Sequence, residues 1–126
     1  MRFTNTFSPY RMGQVDVKNR LIMPAMDSGV FDQNGMVRQA TLDYYGARAA
    51  GGFGLIIIEI TAVEPTGVGM PCEPAGWTDE CIPGMTKLAS VIHENGAKTI
   101  VQLHHAGRET VSAMAGKVVA PSAVPC

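Results

Sequence analysis

Apolar residues fall along the chain in blocks of two kinds, and the order of the blocks predicts the fold. Residues 21–26 (Leu-Ile-Met-Pro-Ala-Met), 53–61 (Phe-Gly-Leu-Ile-Ile-Ile-Glu-Ile-Thr) and 98–103 (Lys-Thr-Ile-Val-Gln-Leu) are short, nearly unbroken apolar runs. Their length and β-branched content read as strands. The middle run does not alternate, which implies burial on both faces and hence a parallel sheet. Ile100, Val101 and Leu103 are likewise expected to be buried. Between the runs, Leu42, Tyr45 and Ala49 share one face of a helix over 41–50, and Ile82, Met85, Leu88, Val91 and Ile92 share one face of a second over 82–95.

The punctuation agrees. Asp43 is expected in the first turn of the first helix and Gly51-Gly52 at its end. Gly46 inside that helix costs about 1 kcal/mol against Ala, so a close contact should compensate. Pro83 opens the second helix and Gly96 stops it. Residues 1–19 read as turns and a small hairpin in which Val15 and Val17 alternate with polar neighbours. Pro24 ends the first strand, Asp32–Gly35 is a turn, and the Pro- and Gly-rich stretch 62–81 is a long loop that Trp77 should anchor by burial.

The order is strand, helix, strand, helix, strand, which is the α/β pattern of a parallel sheet with right-handed crossovers. A doubly wound sheet and a (β/α)₈ TIM barrel share it. No Gly-x-Gly-x-x-Gly follows the first strand, so the barrel is favoured over a dinucleotide-binding sheet. A barrel needs about 250 residues. The 126 residues therefore form one incomplete domain, 1–126, holding only the first three βα units.

Composition narrows the function. With 46% hydrophobic and 17% charged residues the chain is globular rather than disordered. A net charge of −1 and the lack of a Lys/Arg cluster argue against nucleic-acid binding. No apolar run reaches the roughly 20 residues of a membrane span, and the N-terminus has no signal-peptide core, so the default location is cytoplasmic. Cys72, Cys81 and Cys126 are too irregularly spaced for a disulfide framework or metal motif and read as reduced thiols. The eight Met residues read as core filler.

Candidate chemistry sits where the third strand ends. Residues 102–108, Gln-Leu-His-His-Ala-Gly-Arg, place amide, imidazole and guanidinium groups where a barrel strand meets its ligand. The Gln102 amide, with donor and acceptor together, can pair with a flat heterocycle carrying adjacent C=O and N–H groups. The plainer alternative is a strand end whose polar groups bind loop backbone. Glu59 is either a buried, paired carboxylate, the favoured reading, or the first residue on the ligand side. His93 reads as a helix-dipole contact. A metal site from His104, His105 and Glu59 is disfavoured because adjacent strand residues point to opposite faces.

Several stretches resemble a known family: Lys18-Asn19-Arg20-Leu21-Ile22-Met23-Pro24-Ala25-Met26, residues 42–52 (Leu-Asp-Tyr-Tyr-Gly-Ala-Arg-Ala-Ala-Gly-Gly), residues 54–59 (Gly-Leu-Ile-Ile-Ile-Glu), residues 102–108 and residues 120–125 (Ala-Pro-Ser-Ala-Val-Pro). In this order and spacing the chain is similar to the old yellow enzyme family, above all to its bacterial NADH:flavin oxidoreductase and 2,4-dienoyl-CoA reductase-like branch. The resemblance implies an FMN-dependent TIM barrel in which NAD(P)H gives a hydride to the flavin and the flavin passes one to an activated C=C bond of a small unsaturated substrate. By the same resemblance Pro24, Ala25 and Met26 border the flavin ring, Ile60 takes a second-strand position that is often smaller, and Gln102 binds the pyrimidine edge. Asp27 stands where the family often has Thr or Cys near the flavin C4=O. An ionised carboxylate there would disfavour reduced flavin unless it is turned away. His104 falls at a variable position, while His105 belongs to the His-Ala-Gly-Arg motif and reads as structural.

The resemblance puts the catalytic residues (a His/His or His/Asn pair, a proton-donating Tyr, later Arg contacts) and the phosphate-binding loops beyond Cys126. A 4Fe-4S cluster and FAD enter only if a longer C-terminal part exists, and no metal ligands are assigned within the chain. The full-length form leaves room for a homo-oligomer. The alternatives are a non-catalytic truncated remnant, whose open sheet would favour association, and a flavin-free barrel lyase fragment, which lacks a Schiff-base Lys at the strand ends.

Overall fold

A computed structural model describes residues 3–124. Met1, Arg2, Pro125 and the Cys126 thiol lie outside the described residues, so the last motif is seen without its final proline. A one-turn helix α1 (Thr4–Phe7) leads into an antiparallel hairpin of β1 (Tyr10–Met12) and β2 (Val15–Val17). Gly13 takes φ +59° in its turn, and Val17 is buried while Val15 is exposed. The alternation read from the sequence thus holds.

Three parallel strands follow: β3 (Ile22–Met23), β4 (Leu55–Ala62) and β5 (Lys98–His104), in the order β3-β4-β5. They are connected by α2 (Gln39–Ala50) and α3 (Ile82–Glu94), and a short α4 (Ser112–Ala115) lies near the end. This is an α/β arrangement, consistent with part of a barrel wall. One core cluster joins Met23, Phe31, Leu42, Tyr45, Ala49, Ile56, Ile58, Leu88, Ile92 and Ala97. The apolar faces of both helices therefore meet the middle strand.

Helix α2 starts two residues earlier than the pattern suggests. The Thr41 hydroxyl accepts the Arg38 N–H at 3.2 Å and donates to the Val30 carbonyl at 2.7 Å, which anchors the helix start from inside its first turn. Asp43 consequently lies beyond that turn, where it accepts a bond from the Gln39 amide at 2.8 Å. A Cβ at Gly46 would come within 3.0 Å of Val91 Cγ1, so the close contact that compensates this glycine is a side chain of α3. In α3, Leu88 and Ile92 are buried, but Ile82, at the first residue ahead of the packed turns, is 54% exposed. Gly96 stops the helix with φ +71°.

The first strand stops at Met23, as expected of Pro24, which has no N–H to continue the ladder. Two expectations are corrected. Trp77 is only half-buried; the loop is held instead by Glu73, Pro74 and Ala75. Pro74 and Gly76 bond Ala62 on the side of β4 where β3 has already ended (Ala62 N to Pro74 O 2.9 Å, Gly76 N to Ala62 O 2.8 Å). Finally, Ile100, Val101 and Leu103 are exposed, Leu103 by 72%. Strand β5 pairs on one side only, and burial needs a covering neighbour as well as an apolar side chain.

Candidate functional site

Every loop that leaves the parallel sheet at its carboxyl end belongs to one of three segments, 24–38, 63–81 and 105–111. Between them β4 carries an irregularity that decides which side chains face where. Ile58 pairs with Val101, yet Ile60 pairs with Gln102, so Glu59 is an extra residue on β4, a β-bulge. Ile56 and Ile58 point into the helix-covered core. Strict alternation would send Ile60 there too. The bulge shifts it by one step, onto the face shared by Ile57, Ile100 and Gln102.

Ile60 and Gln102 thus lie side by side across β4 and β5. Ile60 is half-buried and Gln102 exposed, and the Gln102 carboxamide makes no hydrogen bond to a described residue. Pro24, Ala25 and Met26 continue from β3, one strand over at the same end of the sheet; Pro24 is exposed, Ala25 half-buried and Met26 51% exposed. Asp27 is exposed to solvent. The arrangement is an open apolar wall with a free amide on one rim. Its residues suit one face of a flat heterocycle: side chains for the ring plane, and an amide for a paired C=O and N–H.

Glu59 itself is fully buried. Its Oε2 accepts bonds from the Ser28 N–H (3.2 Å), the Ser28 hydroxyl (2.5 Å) and the Tyr45 hydroxyl (2.9 Å), and Tyr45 in turn accepts the Glu59 N–H at 3.2 Å. The favoured reading of a buried, paired carboxylate holds for one oxygen. Oε1 is buried without a hydrogen-bond partner among the described residues. Burial, more than any other influence, pushes the Tyr45 phenol well above its ordinary value, so it remains a neutral donor.

The histidines bind the loop after β4. His104 Nδ1 meets Glu73 Oε1 at 2.8 Å, and Glu73 Oε2 accepts the N–H groups of Gly69 (2.7 Å) and Met70 (3.2 Å). His105 Nδ1 accepts the Gly107 N–H at 3.0 Å, which leaves its Nε2–H to donate to Glu64 Oε1 at 3.1 Å. Both imidazoles therefore bond carboxylates of that loop. The Thr66 hydroxyl first, and His105 second, hold the Glu64 carboxyl below its usual range. Arg108 donates to the Val124 carbonyl at 3.1 Å, and Thr110 to that of Val68.

Sequence reasoning missed Ser28, Tyr45 and Glu73. Tyr45 left a signal: a buried Glu59 needs a donor, and Tyr45 supplies a hydroxyl on the apolar face of α2. Glu73, inside a Pro- and Gly-rich stretch, left none. A cleft of about 640 Å³ opens between the first two loops and α4, among Met36, Met70, Cys72, Trp77 and Met114. It touches none of Pro24, Ala25, Met26, Ile60 or Gln102. Among the described residues no three His, Cys, Asp or Glu side chains are grouped to hold a metal ion, and no helix is long and apolar enough to cross a membrane. Cys72 and Cys81 are free thiols.

Known proteins carry the same pattern. Residues 5–125 match the NADH:flavin oxidoreductase / NADH oxidase family. An NADH oxidase of Thermoanaerobacter brockii is 42% identical over 98% of this chain and 20% of its own length. An NADPH dehydrogenase of Listeria monocytogenes serotype 4a (strain HCC23) is 40% identical over 94% of this chain and 35% of its own. The old yellow enzyme homologue from Zymomonas mobilis superimposes with a TM-score of 0.88 at 32% identity, over 95% of this chain and 34% of that one. The old yellow enzyme from Trypanosoma cruzi does so with 0.88 at 30% identity, over 99% and 36%. The chain thus spans about a fifth to a third of the relatives it matches. A strand, helix, strand, helix, strand order legible in its residues, a match along nearly its whole length and the same backbone course in solved relatives lead to one conclusion: the chain belongs to the NADH:flavin oxidoreductase / NADH oxidase family, the old yellow enzymes.

Proposed function

We propose that this chain forms the first three βα units of a (β/α)₈ barrel that binds FMN, takes reducing equivalents from NAD(P)H and reduces an activated C=C bond of a small unsaturated substrate. The observation that carries the reading is the pairing of Ile60 with Gln102 on one face at the carboxyl ends of parallel strands, in a member of a flavin family. Bound FMN would supply the hydride chemistry. The protein's part here is to hold the ring: Pro24, Ala25, Met26 and Ile60 present apolar surface, and the Gln102 amide donates to a ring carbonyl while accepting a ring N–H. Asp27 is exposed to solvent, as are Pro24 and Met26 beside it.

This piece by itself is expected to be inactive. It supplies one wall, and Ile100 on that face and Leu103 on the opposite face remain uncovered. Catalytic acid and substrate-binding groups belong to later strands in this reading. The deciding experiment is FMN titration of the full-length protein and of Gln102→Ala. Removing the amide should weaken FMN binding by about tenfold to a hundredfold, the effect of losing a hydrogen-bonded pair to a polar ring edge. A protein that purifies colourless and takes up no added FMN would falsify the proposal.

A further inference from the structure

The segment Pro24–Ser28 is held in an unusual way. Pro24, Met26 and Asp27 are exposed, so burial does not fix them. Among the side-chain and loop backbone hydrogen bonds of the described residues, the ones that reach this segment run from Ser28 to Glu59, by its N–H at 3.2 Å and its hydroxyl at 2.5 Å. From Gly29 onward Arg38 takes over, donating to the Gly29 and Val30 carbonyls at 3.3 and 2.9 Å. The segment therefore hangs between β3 at one end and a single carboxylate at the other.

That carboxylate is poorly explained as a stabilising group. Among the described residues one of its oxygens is buried without a partner and no ion pair includes it, and a carboxyl so placed costs folding energy rather than adding to it. Its placement depends on the same bulge that turns Ile60 toward Gln102, because without the extra residue Glu59 would face away from α2. Tyr45 then fixes it from the helix side, donating to Oε2 and accepting the Glu59 N–H. One irregularity in β4 thus sets both Ile60 and the holder of the neighbouring segment.

We propose that Glu59 is a positioning residue, whose carboxylate clamps Ser28 and so fixes the Pro24–Asp27 segment at the distance a bound flavin requires. The proposal rests on the flavin reading above for its consequence, and on the clamp alone for its geometry. Two kinds of measurement separate these.

The first is exchange of the Ser28 amide hydrogen, the N–H of the segment that Glu59 holds, in the full-length protein without flavin. Glu59→Met, which removes the acceptor at similar length, should speed exchange there about tenfold or more, as loss of hydrogen bonds to a charged group predicts. Glu59→Gln, which keeps an acceptor oxygen, should restore much of the protection. Ser28→Ala, which removes the hydroxyl and keeps the N–H, should fall between them, and it decides the matter if Glu59→Met does not fold. The second measurement is FMN affinity and the flavin midpoint potential. Glu59→Met and Ser28→Ala should raise the FMN dissociation constant about tenfold and shift the potential, whereas Ile58→Ala, a packing change one residue away, should lower Tm and move neither. If the Glu59 and Ser28 variants lower Tm with exchange at the Ser28 amide, affinity and potential all unchanged, Glu59 is merely structural and the proposal is overturned. If the unaltered protein binds no FMN, the flavin reading fails, and the exchange data still decide the clamp.

Discussion

Strands β4 and β5 have nearly the same make-up and opposite surroundings. The Leu-Ile-Ile-Ile of β4 is almost wholly buried, while the Ile-Val-Gln-Leu of β5 has Ile100 at 51% and Leu103 at 72% exposure. The difference is position alone. Strand β4 is paired on both sides and packed beneath two helices; β5 is paired on one side. A β-branched run states that a segment can be buried, and the neighbours decide whether it is.

The largest expected effect comes from cutting back a buried side chain of β4. Ile58→Ala should cost about 2–5 kcal/mol, the usual range for a large core residue cut to Ala, read from the midpoint of chemical denaturation. Next in size is an alkaline limb on the β4 side. The Tyr45 phenol is raised by burial, so its contribution is complete below the unfolded value of about 10 and is lost as pH rises through the higher folded value. Stability should fall by about 1.4 kcal/mol per pH unit over that window, and Tyr45→Phe should abolish the slope. Smaller still, Leu103→Ser in the 126-residue chain should change stability by no more than about 0.5 kcal/mol. If the same change in the full-length protein costs as much as Ile58→Ala, the β5 face is covered there, which is what a closed barrel requires. The smallest effect joins the two strands' loops. Glu64, depressed by Thr66 and His105, contributes stability present above its unfolded value and lost as pH falls through the lower folded one. Thr66→Ala should return its titration, followed by NMR, toward that of an ordinary glutamate.

The sequence made some of this legible and not the rest, for definite reasons. The buried face of α2 was readable because Leu42, Tyr45 and Ala49 recur at a period that belongs to the helix itself. Gly13, Gly35 and Gly96 marked turns because their positive φ is a local requirement. The bulge at Glu59 was not readable, since it exists only as a mismatch of register with β5, whose residues lie some forty positions away. The exposure of Leu103 and the half-burial of Trp77 escaped for the same reason: each is a property of what packs nearby. For the proposed site, Gln102 could be named from its amide at a strand end and Ile60 from a resemblance, but that they share a face follows from the register shift.

The short first strand has a further consequence. Because β3 stops at Met23, residues 74–76 occupy the vacated edge of β4, and Gly35 (φ +74°) lies so close that a Cβ there would sit 2.5 Å from the Glu73 carbonyl oxygen. Two connecting segments are thereby stitched to one strand end. A graft that swaps this connector while leaving Gly35 behind should misfit its new host.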